Sequence, residues 1–290
     1  MAAGGALMGL GAKLLAMALL TGGGAGQDAP RVVSLDYCAD QYVLALADPD
    51  QILAVSVQAG DAHSALREHA EGLPRVRDAA EDVLALDPDL VVRSYGGGAR
   101  AQAYYARLGV DVHDLGYADD FDDVRAMIRR AAEALGHPDR GEALIAQMED
   151  DLAGAADGPP LSALYMTPSG VTAGSGTMID ALLQAANLEN AAARDGAAGW
   201  RSLPLEGLID QEPDLIVTAF FDGASAPVDS WAIARHPVFQ DLFERSVRVE
   251  LDGADVSCSS WTLAAAARRV REQANAALTA TARAPGEAAP

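Results

Sequence analysis

Two cysteines, three tryptophans, seven tyrosines and five histidines are the side chains of this chain best suited to chemistry or to holding a ligand. Cys38 and Cys258 are an even pair. In an oxidising compartment such a pair suggests a disulfide; the alternative is two free thiols lining a site. A bridge here would close a very long loop and restrict the unfolded chain strongly. The histidines are dispersed, and His63 and His69 have no companions at metal-ligand spacing, which disfavours a direct zinc or manganese site. Asp119-Asp120 and Asp122-Asp123 read as a solvated helix start rather than as a cage for ferric ion. Gly174-Ser175-Gly176 and Ser169-Gly170 place serines beside glycines, but Gly-x-Ser-x-Gly is missing from the stretch. His236 stands before Pro237, as in a turn, and neither a Walker loop nor Gly-x-Gly-x-x-Gly follows a first strand. The expectation is a protein that is not an enzyme and has no resident cofactor or metal.

Aromatic residues make up only 5% of the chain, so those in loops stand out. The elements that would position them alternate between strand and helix. Arg31–Leu35, Gln51–Val57, Leu90–Arg93 and Val110–Leu115 read as strands, with Ala39–Ala47, Glu81–Leu86 and Ala99–Leu108 as helices between them. A helix over Asp122–Leu135 is followed, after Gly136-His137-Pro138, by Asp139–Ala156, read as the longest uninterrupted helical pattern. Pro159-Pro160 stops it. The alternation resumes with strands at Ser162–Met166, Leu215–Phe220 and Val247–Leu251, a glycine-bearing loop at Val171–Gly176, and helices at Met178–Ala186, Glu206–Asp210 and Ser260–Ala280. The fold class is α/β: two lobes with short parallel sheets flanked by helices, joined by one long helix. The expected organisation is an N-terminal lobe at 30–136, a bridging helix at 137–157, a C-terminal lobe at 160–281 and a disordered tail at 282–290.

In such a fold a ligand meets the loops at the strand ends. The candidates are Tyr37, Cys38 and Asp40 after the first strand, and Tyr95, Gly96 and Gly97 after a later one. The second lobe adds Ser175, Trp200, Phe221, Trp231 and Trp261. Rings offer flat apolar walls to a large planar or macrocyclic ligand, and glycines let backbone approach it; ordinary loop packing and a plain turn are the alternatives. Tyr95 also belongs to a residue type that ligates haem iron.

Met1–Lys13 is small and apolar with one positive charge, Leu14–Leu20 is an apolar run, and Thr21–Gln27 is small and Gly-rich. Residues 1–26 therefore read as a secretory signal, with an uncleaved anchor as the alternative. The mature protein is expected to be soluble and outside the cytoplasm. The net charge is -21, and Lys13 is the single lysine. Without a basic stripe the chain is a poor partner for nucleic acid or anionic lipid.

One segment occurs twice. Glu81–Val92 matches Glu206–Val217, and within it Pro88-Asp89-Leu90-Val91-Val92 matches Pro213-Asp214-Leu215-Ile216-Val217. In each copy Glu suits a helix N-terminus, Pro stops the helix, and a buried strand begins. Two copies imply two lobes built alike.

Together with Val32–Leu35, Thr172–Gly176 and the long helix, these repeats resemble the Fe/B12-type periplasmic binding proteins. Those are the substrate-binding components of ABC importers for cobalamin, haem and ferric siderophores. Leu35-Asp36-Tyr37-Cys38-Ala39-Asp40-Gln41 resembles the cobalamin-type subset. The resemblance spans roughly residues 31–280. It implies a monomer with a cleft between the lobes, placed in the periplasm, capturing a corrinoid, or alternatively a ferric siderophore or haem. It further implies that Glu81 and Glu206 dock on arginines of the permease, a role that helix-start charge alone does not require.

Overall fold

The computed structural model describes residues 29–94, 99–202, 213–220 and 236–283. The expected export segment lies outside these residues, as does most of the expected tail. Ala282 and Arg283, expected in the tail, instead complete the last helix.

The first lobe is a five-stranded parallel sheet: β1 (Val32–Ser34), β2 (Ile52–Ser56), β3 (Arg75–Val76), β4 (Leu90–Arg93) and β5 (Asp111–Asp114), in the order β3-β2-β1-β4-β5. Its central strands are short runs of valine and leucine buried on both faces, as parallel pairing between helices demands. The helices of this lobe are α1 (Tyr37–Leu46), α2 (Ala80–Leu84), α3 (Ala99–Arg107) and α4 (Phe121–Ala134). Asp120 caps α4 by accepting from the Asp123 amide, so the expected acidic helix start is present.

The chain then enters α5 (Pro138–Ala155), with Pro at the first turn, where its missing N–H costs nothing. The second lobe follows. β6 (Leu161–Met166) leads into β7 (Val171–Ala173), α6 (Met178–Ala185), β8 (Leu188–Asn190), β9 (Trp200–Ser202) and β10 (Leu215–Ala219). After them come α7 (Pro237–Arg245), β11 (Val247–Leu251), α8 (Gly253–Val256) and α9 (Thr262–Arg283). The second parallel sheet has the order β11-β10-β6-β8, and β7 pairs antiparallel with β9.

Two expectations need correction. Among the described residues the longest helix is α9, with 22 residues, and not the linking helix, with 18. It packs along α5, with Ala264, Ala267, Val270 and Ala274 buried in the core. The glycine-bearing stretch at Val171 opens with a strand, β7, held by a Thr172 hydroxyl that donates to the Tyr165 carbonyl. Three residues are too few for alternation to announce a strand.

Linker and lobes share one core. Val32, Val92 and Ile128 of the first lobe, Ile145 and Met148 of α5, and Leu182, Val217 and Val270 of the second belong to a single buried cluster. A Cβ at Gly141 of α5 would stand 2.6 Å from the Ala132 side chain, so glycine is what lets α5 lie this close to α4.

The internal repeat has a mechanical meaning. In both lobes the repeated strand lies beside the strand that opens its lobe: β4 beside β1, and β10 beside β6. The repeated Asp reaches across that pair. Asp89 Oδ2 accepts from the Arg31 amide at 2.8 Å, and Asp214 Oδ2 accepts from the Ser162 amide at 2.7 Å. Each thereby satisfies an N–H at the start of its lobe's opening strand. The amide and hydroxyl of Ser162 hold the Asp214 carboxyl below its ordinary range.

Candidate functional site

The site is built outward from the end of β1. Asp36 caps α1, its Oδ1 accepting from the Cys38 and Ala39 amides, while Oδ2 accepts from the Ser94 amide at 2.8 Å. The Ser94 hydroxyl donates to Oδ1 at 2.8 Å. One carboxylate thus ties the start of α1 to the end of β4, which fixes two of the loops that face the second lobe.

Asp40, expected in the cleft, is instead a core residue with no exposed surface. Its carboxylate accepts from the Ser34 hydroxyl, from the Ser56 amide at 2.9 Å and from the Ser56 hydroxyl at 2.6 Å. It sits one helical turn beyond Asp36, on the face of α1 turned to the sheet, and so clamps the ends of β1 and β2. Burial raises its pKa, and the Ser34 and Ser56 hydrogen bonds oppose that rise.

The neighbouring face of α1 meets the second lobe. Cys38 and Cys258 form a disulfide between residues 220 apart in sequence. Gln41 donates to Cys258 Sγ at 3.4 Å and accepts from the Ser260 hydroxyl at 3.2 Å. Tyr42 and Trp261 meet edge to face, with centroids 4.9 Å apart. Farther along, His63 packs edge-on against Phe220 at 5.6 Å. Gly253 admits that contact: a Cβ there would come within 2.9 Å of the Phe220 ring. Phe220, at the end of β10, is held at φ 67, a conformation rare for an aromatic residue and stored where a strand meets the cleft.

Between these contacts lies a cavity of about 180 Å³. Cys38, Tyr42 and Ser94 form its first-lobe floor, and Ser257, Cys258 and Ser259 face them from the second. Leu115 and Met127 on one side and Met178, Ile179, Val256 and Leu263 on the other supply apolar walls. None of the described lining residues carries a formal charge. The Tyr42 hydroxyl is buried with no hydrogen-bond partner among the described residues, and burial keeps it protonated by raising its pKa. The mouth is framed by Tyr117, just after β5, and Trp200, the first residue of β9. Both are about half exposed, at 49% and 48%, and Trp200 Nε1 donates to the Tyr117 hydroxyl at 3.4 Å. The Tyr165 ring backs Trp200 edge-on at 6.0 Å.

A ligand pocket commonly encloses about 300–1,000 Å³. This cavity is smaller, with room for only part of a large ligand. An uncharged lining with three serine hydroxyls suits a neutral, hydrogen-bonding surface better than an anion.

Of the expected contact residues, Cys38 and Trp200 line this cavity. Trp261 stands behind it against Tyr42, and Tyr37 occupies the first turn of α1 without lining it. Ser175 faces a separate shallow depression beside Asp180 and Arg194, its hydroxyl donating to the Ala197 carbonyl, because the β7–β9 pairing turns it away from the cleft. Tyr95, Gly96, Gly97, Phe221, Trp231 and Glu206 lie outside the described residues. Glu81 is exposed in the first turn of α2, away from the cavity. Sequence reasoning missed Tyr117 and the Met178-Ile179 step. Tyr117 does follow a strand, and the strand-end rule points to it; Met178 and Ile179 read as ordinary helix core. Among the described residues no group of three His, Cys, Asp or Glu side chains could hold a metal ion, and no helix is long and apolar enough to cross a membrane.

Comparison with known proteins agrees with this architecture. The family described as periplasmic binding protein matches residues 32–242. Over 197 residues the chain is 29% identical to a cobalamin-binding protein of Halobacterium salinarum, covering 65% of this chain and 53% of the relative. It spans about half the length of the curated relatives it matches. Among solved structures, the apo periplasmic heme-binding protein RhuT from Roseiflexus sp. RS-1 superposes with a TM-score of 0.64 at 25% identity, over 85% of this chain and 99% of that one. The periplasmic vitamin B12 binding protein BtuF of Vibrio cholerae has the same fold, with a TM-score of 0.64 at 19% identity over 86% of this chain and 98% of that one. With its two parallel-sheet lobes joined by α5 and its family match over most of its length, the chain belongs to the periplasmic binding protein family.

Proposed function

We propose that this chain is the periplasmic substrate-binding component of an ABC importer and captures a cobalamin-type corrinoid between its lobes. The observation that carries the choice of ligand is the uncharged, hydroxyl-bearing cavity beneath an aromatic mouth. A corrin ring carries neutral amides around its rim, which suit serine hydroxyls and an indole N–H. Haem carries two carboxylates and ferric siderophores are commonly anionic; both would meet described lining residues without a cation, on a chain of charge -21. The cobalamin-binding relative from Halobacterium supports the same choice. Haem is the second reading, favoured by the likeness to the Roseiflexus protein.

Tryptophan-quenching titration with cyanocobalamin, haemin and a ferric-siderophore panel tests the proposal. Cyanocobalamin is expected to bind below about 10 μM, a free energy near -7 kcal/mol, and more tightly than the others. Trp200→Ala is expected to weaken it at least tenfold, about 1.4 kcal/mol, by removing one wall of the mouth. No corrinoid binding at that concentration, with haemin bound, would transfer the assignment to haem.

Delivery requires a membrane partner, and Glu81 is an exposed carboxylate on the first lobe, remote from the cavity. In this proposal it docks on a permease arginine, with Glu206 as its counterpart on the second lobe. Glu81→Arg combined with Glu206→Arg is expected to abolish corrinoid uptake in cells while leaving the titration unchanged. Lost affinity instead would refute the docking role. The bound molecule is cargo, and no resident cofactor or nucleic-acid partner is needed; the working unit is a monomer.

A further inference from the structure

The hydroxyls that line the cavity are not alike. The Ser94 hydroxyl donates to Asp36 Oδ1 at 2.8 Å, and the Ser257 hydroxyl donates to the Gly253 carbonyl. A carboxylate and a carbonyl only accept, so each serine has committed its one proton and can only accept from a ligand. Tyr42 is the opposite case. Its hydroxyl is buried with no hydrogen-bond partner among the described residues, and burial keeps its proton in place. Tyr42 stands one turn beyond Cys38 on α1, and both line the cavity. Helical side chains lean toward the helix N-terminus, which for α1 is the cavity end. Trp261 holds the Tyr42 ring edge to face at 4.9 Å. The wall therefore offers a phenolic donor beside serine oxygens that accept. The Cys38–Cys258 bridge fixes their spacing across the lobes, since Cys38 lies one turn from Tyr42 and Cys258 is the chain neighbour of Ser257.

We propose that this cavity takes an uncharged primary carboxamide of the ligand, its carbonyl accepting from the Tyr42 hydroxyl and its N–H groups donating to the Ser94 and Ser257 oxygens. Tyr42 is then a specificity-determining residue. The inference rests on the reading of this cleft as the ligand site, and it names the part of the ligand that enters. A primary amide carries an acceptor and two donors without charge, so it answers both kinds of group at once. A carboxylate brings no proton to the serine oxygens, and its lone pairs would face theirs in a wall whose described residues include no cation. An alcohol has one polar atom to divide between Tyr42 on the first lobe and Ser257 on the second. Discrimination of this kind is steep, because the wrong group leaves buried polar atoms unpaired.

The test labels the tyrosines with carbon-13 at Cζ, whose resonance reports hydrogen bonding of the phenol; Tyr42→Phe identifies the Tyr42 signal. Propionamide, propionate and propanol are added in turn at about 0.1 M, where a fragment of about five heavy atoms and ordinary ligand efficiency is substantially bound. Propionamide is expected to shift the Tyr42 signal, and the other two to shift it far less. A signal unmoved by propionamide, or moved equally by propionate or propanol, overturns the proposal. Tyr42→Phe is also expected to lose about fivefold in affinity for cyanocobalamin. It should melt within about 2 °C of the native chain, since the hydroxyl it removes bonds to no described residue. A purely structural hydroxyl would instead move the melting temperature and leave the affinity alone, and that result also overturns the proposal. The fragments need no corrinoid, so the two readings fail separately. A chain that selects propionamide but does not bind cyanocobalamin loses the ligand assignment and keeps this one. A chain that binds cyanocobalamin while Tyr42 ignores propionamide loses only this one.

Discussion

Replacing both Cys38 and Cys258 by serine is expected to lower the folding stability by roughly 5 kcal/mol. The loop they close is unusually long, with a sequence separation of 220. In the chain-entropy description the cost of closing a loop rises with the logarithm of its length, so this bridge lies near the upper end of what one disulfide contributes. For a chain of this size each kcal/mol displaces the melting temperature by about 2–4 °C, which puts the expected drop at about 10–20 °C. Calorimetry of the native chain, of the same chain under a dithiol reductant, and of the double variant measures it. Agreement between the last two isolates the bond from any effect of serine. A loss under about 1 kcal/mol would show that the reduced chain keeps the lobes together without the bridge. That outcome would shift the weight to Gln41 and to the Tyr42–Trp261 pair, which hold the same interface without a covalent bond.

The opening motif shows how the sequence can point at the right place for a different reason. Leu35–Gln41 carries the resemblance to cobalamin-type proteins, and its Tyr37, Cys38 and Asp40 are expected as contacts because they follow the first strand. In the fold, Asp36 caps α1 and binds Ser94, Cys38 bridges the lobes, Asp40 clamps β1 to β2, and Gln41 hydrogen-bonds across the interface. The motif is chiefly a joint, and only Cys38 within it lines the cavity. Periodicity cannot separate these roles. A polar residue one turn from a helix start is read alike whether it faces solvent, sheet or partner lobe, because helical spacing gives an angle around the axis and not the identity of the neighbour. Asp89 and Asp214 illustrate the opposite case. Their repetition was legible as two similar lobes, and the shared chemistry behind it, an acceptor for an amide at the start of the opening strand, emerges once β1 and β6 are placed beside them. The sheets and the linking helix were readable because strands buried on both faces and an uninterrupted helix leave long signals. Tyr117, β7 and β9 leave one to three residues each, and what brings Tyr117 to Trp200 is the approach of two lobes far apart in sequence.

The second large effect is expected at Arg271 in α9, 1% exposed and the largest buried side chain among the described residues. Among the described residues it has no carboxylate partner. Its guanidinium donates to the carbonyls of Ala186 at 2.7 Å, Asn187 at 2.7 Å and Pro159 at 3.0 Å, and to Asn275 Oδ1 at 3.4 Å. Two of those carbonyls lie just past the end of α6, where helix carbonyls lack partners and the dipole is negative. The third precedes β6. One side chain of α9 therefore closes α6 and anchors the entry to the second sheet. Burial lowers the pKa of this guanidinium, yet an arginine remains charged at neutral pH. Arg271→Ala leaves those carbonyls buried and unpaired, at about 1–3 kcal/mol for each that water cannot reach, together with a cavity where the side chain stood. The expected net loss is about 3–5 kcal/mol, measured by urea unfolding at pH 7. Arg271→Lys restores the charge but not the planar fork, so it is expected to recover less than half of the loss. Full recovery by lysine would mean that charge at the helix end suffices, whereas a methionine variant as stable as the native chain would mean that the buried cation costs about as much as its hydrogen bonds return.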